Sequence, residues 1–471
     1  MNDKIKKIHD ASMKILNRTG VRFHHPEILK LLKKNGIKIE GETAYFTEDQ
    51  ILDWVGKAPD HFKVYARNPK FDFIVGDAKG VKHIEFAPGY GAPNVLERSG
   101  VTRRAVLKDY IEFAKLVHQS DQFKVNGGIL VEPSDLNPQN NYAAMLYHII
   151  TLSDKFIFGM EGRKSQVDMT MEMIKMVFGN QEELINKPRI MTIVNTLSPL
   201  RLDATALDTI LSYASHGQPV VITPAASAGF TGPITLAGLV ALGNAETLAG
   251  IAVTQMIRPG NPVVYGCQST AGDMRTGAFV VGNPEHALCI TLGAKLARYY
   301  HLPCRGGGAP CDAKQISVQS GYESMLILLS SVKADINYII HSAGVTDSFN
   351  TMSIDKFIID LEMIDMVKLI HQGIQVDDET LALDVIEKIG IGGEYMTSAH
   401  TAKLCRQAVW SPKVGLKGPK EVDDQQAVIL EKVNRQKENM LADYQPPPIS
   451  VSLQKALTDY LLAKGVEKKH L

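Results

Sequence analysis

Between about residues 82 and 371 the chain alternates in an unbroken rhythm between short β-prone apolar runs and longer stretches with helical spacing. The runs span 82–87, 124–131, 155–161, 190–197, 219–225, 262–269, 303–308 and 336–343. Helical patterns follow them at 105–119, 140–152, 165–177, 203–216, 235–257, 284–300, 315–332 and 354–371. This alternation constrains the fold more than any other feature. Strands regularly separated by helices pair in parallel, because a parallel neighbour is reached only through a crossover. Runs such as Pro219-Val220-Val221-Ile222 and Ile190-Met191-Thr192-Ile193-Val194 are apolar on both faces, as in strands covered on both sides. About eight βα units, each roughly 30 to 45 residues long, predict an α/β fold: a closed (β/α)8 barrel of the TIM type. The alternative is an open doubly wound sheet, and no dinucleotide fingerprint after the first strand supports it.

The flanks differ in texture. Residues 1–75 read as a helical and extended N-terminal cap, with helices at 5–17 and 26–34 and a capping box at Thr47-Glu48-Asp49-Gln50 leading into 51–56. Residues 76–373 form the expected catalytic barrel. Residues 374–471 form a helical extension, with helices at 377–390, 422–444 and 450–464 and a glycine-containing loop at 392–400. This tail is expected to pack on the barrel or on a neighbouring subunit, as a homo-oligomer would have it.

Lys+Arg and Asp+Glu balance at 51 each, which argues against a nucleic-acid partner held by phosphate neutralisation. No uninterrupted apolar run reaches roughly 18 residues, so no membrane span is expected. No secretory apolar region follows the charged start, and the five cysteines are an odd number. The expectation is a cytoplasmic protein with reduced thiols.

In a (β/α) barrel the active site lies at the carboxyl ends of the strands. Those ends carry Pro88-Gly89-Tyr90-Gly91, Asn126 to Glu132, Gly159-Met160-Glu161, Asn195-Thr196, Thr223-Pro224-Ala225, Gln268-Ser269, Gly306-Gly307-Gly308 and His341-Ser342-Ala343. Phe230, Asp273, Asp312, Asp347 and Phe349 follow in the loops. With few Lys or Arg among them, a phosphorylated substrate is disfavoured. Glu161 is the strongest candidate, because a buried unpaired carboxylate is costly and a bound cation would remove the cost. His341 reads equally as a functional group or a satisfied core histidine. Gly307 and Gly308 could cradle a cofactor phosphate, or mark a turn where backbone approaches closely. Cys267, Cys304 and Cys311 could form a zinc-thiolate site, or be small buried hydrophobes; no CxxC or HxxxH spacing supports the metal.

The run Gly306-Gly307-Gly308-Ala309-Pro310-Cys311-Asp312-Ala313-Lys314, continuing through Gln319 to Glu323, resembles the trimethylamine methyltransferase family. The likeness extends through Ala334 to Asn337, His341 to Gly344, Phe357 to Glu362 and Asp377 to Ala382. Near the amino end it includes Ile8 to Leu16, Gly20-Val21, Ala66 to Pro69 and Phe86 to Gly91. The resemblance implies a barrel that moves a methyl group from a methylated amine to the Co(I) corrinoid (cobalamin) of a separate corrinoid protein, with no cofactor bound permanently. Family members acting on trimethylamine carry pyrrolysine; this chain contains only standard residues. It is therefore similar to the branch that demethylates quaternary amines such as glycine betaine, proline betaine, carnitine or γ-butyrobetaine. A quaternary nitrogen leaves as a neutral tertiary amine, so attack needs no proton donor. The protein has to bind the cation, aim one methyl group and exclude water. For such a substrate Tyr90, Phe230 and Phe349, with Glu161 or Asp347, are the expected cation site. Asn195, Gln268, His341 and Arg305 are the expected partners of a substrate carboxylate. No Asp-x-His-x-x-Gly corrinoid signature occurs, so the partner must dock over the barrel mouth, at the loops after Ala87 and Ala343. A zinc-thiolate methyltransferase and a non-catalytic betaine-binding protein are the competing readings.

Overall fold

The structure, a computed structural model, describes residues 3–419 and 423–471. Its central sheet has eight strands: β1 (Glu85–Phe86), β2 (Val125–Gly127), β3 (Phe156–Phe158), β4 (Ile190–Asn195), β5 (Val220–Thr223), β6 (Val263–Gly266), β7 (Cys304–Arg305) and β8 (Tyr338–Ile339). Consecutive strands from β2 to β8 pair in parallel, and β8 returns to β1 in the register Tyr338↔Glu85 and Ile339↔Phe86. The result is the expected (β/α)8 barrel, closed by hydrogen-bonded ladders everywhere except between β1 and β2. At that seam an ion pair joins Lys124 to Glu85 below. Above it, the Gly91 N–H donates to Ile129 O (2.7 Å) and the Glu132 N–H to Ala92 O (2.9 Å).

Eight helices form the outer ring: α1 (Leu107–Gln119), α2 (Asn141–Leu152), α3 (Lys164–Phe178), α4 (Ala204–Ser215), α5 (Leu236–Ile257), α6 (Pro284–Tyr299), α7 (Val318–Lys333) and α8 (Ile354–Gln372). Each falls within a few residues of its expected span. The strands are shorter than expected, because the polar and glycine-rich ends of the apolar runs leave the ladder to become mouth loops.

The barrel interior is packed from the amino-terminal end. A hairpin of His61–Val64 and Phe73–Ala78 lies beneath it, a feature that strand counting misses. Phe62, Val64, Phe73 and Val75 share one apolar cluster with Val125, Phe156, Phe158, Met191, Ile193, Val221, Val264, Tyr338 and Ile340. Period-two alternation along each strand turns these residues inward. Phe73 meets Phe156 edge-on at 5.5 Å between ring centroids. This plug fills the lower end and leaves the carboxyl ends of the strands as the accessible face.

Helix α5 is apolar all round and, by length and composition alone, could cross a membrane. In the fold it is a wall helix with almost every side chain buried, because helices Asp3–Arg18, Pro26–Lys34 and Glu48–Val55 cover its outer side. The capping box is present, with the Gln50 N–H donating to Thr47 Oγ1 (3.2 Å) and the Thr47 N–H to Gln50 Oε1 (3.0 Å). At the other end, helix Gln425–Ala442 packs on α1 and α8, and helix Val451–Ala463 on α2 and α3. The expected start of the former at Val422 lies outside the described residues. The expected helix 377–390 is two short helices, Asp378–Leu381 and Leu383–Ile389, broken where Ala382 takes φ +50°.

Candidate functional site

An aromatic arc crosses the mouth of the barrel. Phe158 at the end of β3 lies 5.2 Å from Tyr90 between ring centroids, and Tyr90 lies 6.4 Å from His341. His341 tilts against Phe349 at 4.6 Å, and Phe349 lies 6.3 Å from Phe279. Phe279 pairs across a short antiparallel ladder with Gly272, over which the half-exposed Phe230 ring lies so closely that a side chain at Gly272 would overlap it. The arc thus joins loops from β1, β5, β6 and β8. Gly128, at φ +68°, makes room for Tyr90: a Cβ there would sit 2.7 Å from the ring. His341, Asp347, Ser348 and Phe349 all hold positive φ between +52° and +73°. Left-handed backbone at four non-glycine residues in one loop is strained, and strain of this kind concentrates at functional sites.

Two charged groups of opposite sign belong to this mouth. Glu161, beyond β3, is partly accessible and has one weak partner, the Asn195 N–H at 3.4 Å. Burial pushes its carboxyl up to about 7, with the Asn195 N–H opposing. Tyr90 and Tyr142 are close enough to feel its charge. The side chain of Asn195 is exposed at the end of β4.

Arg305, 2% exposed, ends β7 at the level of the strands. Its Nη1 donates to Gln268 Oε1 (2.9 Å) and more weakly to Thr223 Oγ1 (3.4 Å), while its Nε has no partner. Among the described residues no carboxylate pairs with it. Burial lowers its pKa to about 10. Gln268 is oriented in turn by His286: the rings' Nε2 and the amide Nε2 lie 3.3 Å apart, and His286 Nδ1 is 3.1 Å from Ser269 O. Burial holds His286 neutral, with its pKa near 4, so Nδ1 can donate to Ser269 O while Nε2 accepts from Gln268. The Gln268 oxygen is thereby left facing Arg305. His341 is kept neutral by burial and by the Arg305 charge.

Unmet hydrogen-bonding capacity collects here. Among the described residues eleven buried side-chain polar atoms lack a partner, and six belong to this region: Tyr90 OH, Ser227 Oγ, Ser269 Oγ, Arg305 Nε, Tyr338 OH and His341 Nδ1. Buried polar groups are normally satisfied, so a cluster of orphans marks a place built to receive something polar.

The mouth loops are fixed by carboxylates, two of them buried and one partly accessible. On α5, Glu246 accepts from the hydroxyls of Thr196 and Ser198 (the latter at 2.8 Å) and from the Leu200 N–H at 2.7 Å, anchoring the loop after β4. Asp312 accepts from the N–H groups of Val281 (2.8 Å) and Gly282 (2.9 Å) and from Ser348 Oγ (2.7 Å), which ties together the loops after β6, β7 and β8. The buried pair Lys356–Asp360 bonds Ala309 O (2.9 Å) and the Gly344 N–H (2.8 Å). Of the residues expected from sequence, Tyr90, Glu161, Asn195, Phe230, Gln268, Arg305, His341 and Phe349 all stand around the mouth. Phe158, Phe279, His286 and Glu246 were not foreseen. Phe158 ends an inward-facing strand pattern and was legible; the other three depend on contacts formed by folding.

Asp347 departs from expectation. It forms an ion pair with Lys314 and takes a weak bond from Thr351 Oγ1 (3.4 Å), so its charge is already met. The three thiols of the zinc alternative are not brought together. Cys267 turns outward against Gly293 and donates to Cys289 O (3.4 Å), Cys304 meets Asn337 Oδ1 (3.4 Å), and Cys311 meets Thr346 Oγ1 (3.4 Å). Burial pushes the Cys267 and Cys304 thiols up to about 11, and no group of three metal-ligating side chains occurs among the described residues. Side chains at Gly307 and Gly308 would overlap Ser331 and the backbone of Ile340 and His341 just beyond β8. Close packing therefore accounts for these glycines without a cofactor.

The family described as trimethylamine methyltransferase (MTTB) matches residues 1–468. The chain is 35% identical over 466 residues to a glycine betaine methyltransferase of Desulfitobacterium hafniense, covering 99% of this chain and 96% of that one. It is 30% identical over 471 residues to a proline betaine:corrinoid methyltransferase of Eubacterium limosum, covering 97% and 96%. A trimethylamine methyltransferase of Methanosarcina barkeri is 30% identical over 416 residues, covering 85% and 82%. Among solved structures, the monomethylamine methyltransferase of Methanosarcina barkeri superposes with a TM-score of 0.51 at 11% identity, over 93% of this chain and 92% of that one, a likeness of fold. The chain belongs to the trimethylamine methyltransferase (MTTB) family. It is a methyltransferase built on a (β/α)8 barrel.

Proposed function

We propose that the protein transfers a methyl group from a quaternary amine, of the betaine class, to the Co(I) corrinoid of a separate corrinoid protein. The observation that carries this reading is the aromatic arc, with Glu161 beside it, at the mouth of a barrel of this family. Aromatic faces and one carboxylate attract an onium head without a hydrogen bond, which a quaternary nitrogen cannot make.

The corrinoid would supply Co(I), a two-electron nucleophile, from the partner protein. The C–N electron pair stays on nitrogen, which departs as a neutral tertiary amine, and no residue has to donate a proton. Glu161 and the ring faces hold the cation, the clamps at Glu246 and Asp312 hold the loops, and the closed lower end excludes water. The loops after β1 and β8 build one four-stranded sheet from Asn94–Leu96, Thr102–Arg104, Val345–Thr346 and Thr351–Met352. We place the corrinoid protein on this rim, which both expected docking loops share.

Incubation with a panel of quaternary amines and a Co(I) corrinoid protein, followed by methyl-cobalamin absorbance, tests the proposal. One or more of the amines should give methyl-cobalamin and the matching tertiary amine in equal amounts. Binding without methyl transfer would instead establish the betaine-binding alternative.

A further inference from the structure

Arg305 is a permanent cation in the middle of the barrel with no acidic partner among the described residues. Its contacts are two neutral oxygens, Gln268 Oε1 and Thr223 Oγ1, and its Nε is unpaired. A buried charge persists only when something compensates it. The internal partners are too few, and the unmet atoms around it, Tyr338 OH, His341 Nδ1 and Ser269 Oγ, include donors as well as acceptors. Tyr338 sits directly across the ladder from Arg305. The His286–Gln268 relay also fixes one Gln268 oxygen on Nη1, which leaves the rest of the guanidinium fork free for a planar acceptor.

We propose that Arg305 receives the carboxylate of the substrate, so that the enzyme selects zwitterionic quaternary amines and holds them anion inward, methyl outward. This rests on the betaine reading and adds the residue that receives the substrate's second charge and the direction in which the substrate lies. Depth sets the direction. Arg305 is part of β7 itself and 2% exposed, whereas Phe230, Phe279 and Phe349 lie on loops beyond the strand ends, and Phe230 is 47% exposed. A carboxylate on Arg305 therefore lies at the floor of the mouth, and the onium head among the rings above it. The methyl groups then face the rim, where an external acceptor can reach them. Turned the other way, the substrate would place its cation against the guanidinium.

The test uses matched pairs that differ only in the anion: glycine betaine against choline, and γ-butyrobetaine against its alcohol. Methyl transfer to the Co(I) corrinoid protein is measured with the wild type, Arg305→Lys and Arg305→Gln. The wild type should favour the carboxylate member of the productive pair by roughly 100-fold in kcat/KM, mostly through KM. Arg305→Gln should abolish the preference and Arg305→Lys should keep part of it, since a point charge replaces a fork. Binding to the wild type alone, measured by calorimetry with N,N-dimethylglycine against N,N-dimethylaminoethanol, gives a readout that needs neither a folded variant nor turnover. Equal binding of those two overturns the assignment, as does a parallel loss of both members of a pair in Arg305→Gln. If no quaternary amine is demethylated while dimethylglycine still binds selectively, the transfer reaction falls and the anion site stands.

Discussion

Replacing Glu161 with Gln separates binding from stability. Its carboxyl titrates near 7 in the folded protein, against an ordinary 4.5, because burial opposes its charge. Between those values the native state holds a proton that the unfolded chain has released. Stability therefore falls as pH rises through that window, and the loss is complete above about 7. The cost of keeping the group ionised at pH 8 is about 3 kcal/mol as an upper figure. Gln removes that cost. For a chain of this length the melting entropy is on the order of 1 kcal/mol per degree, so Glu161→Gln should melt about 3 °C higher than wild type at pH 8. At pH 4.5 the difference should vanish. Binding should move the opposite way. A carboxylate about 5 Å from an onium head, at an effective dielectric near 20, contributes about 3 kcal/mol, so KM should rise roughly 150-fold. Wild-type KM should also fall as pH rises from 6 to 8, while that of the variant stays flat. Differential scanning fluorimetry at both pH values and methyl-cobalamin formation supply the readings. A variant that melts no higher at pH 8 and binds as tightly as wild type would refute both the burial and the cation-site arguments.

Other substitutions probe the remaining parts. Phe349→Ala removes a ring face tilted on His341, and KM should rise about fivefold with little change in kcat, for a cation–π contact of about 1 kcal/mol. Glu246→Ala strips three donors of their acceptor, so the protein should lose about 3 kcal/mol in denaturant melts and bind substrate more weakly as the loop after β4 loosens. Unaltered stability there would show that the loop holds itself. Cys304→Ala should keep full activity and bind no less metal than wild type, because its thiol meets only Asn337 Oδ1 and a backbone carbonyl; loss of stoichiometric zinc together with activity would restore the thiolate reading.

The barrel was legible because its signal is local and repeated. Each run such as Val220–Thr223 carries apolar residues on both faces, and each helix such as Pro284–Tyr299 carries its own start, here Asn283 accepting from the His286 N–H. Strand ends can then be matched to mouth residues by order alone, which brings in Tyr90, Glu161 and His341; Arg305 enters only through the carboxylate of a betaine. Asp347 shows the limit of that route. Order places it at the mouth, but whether its charge is free depends on Lys314, 33 residues away. The choice between thiolate ligands and buried hydrophobes is open in the sequence for a similar reason, since period-two alternation does not say which face of a strand two residues long, such as Cys304–Arg305, turns inward.

The amino-acid sequence by itself determined the number and order of the βα units and the set of residues at the open end, because periodicity and capping act over a few neighbours. Tertiary structure alone decided which of those residues keep an unmet charge. The hairpin plug, the covering of α5, the neutralisation of Asp347 and the isolation of Arg305 all come from groups distant in the chain. Burial and the pairing of charges are properties of the space a side chain enters, and that space exists only once the chain has closed around it.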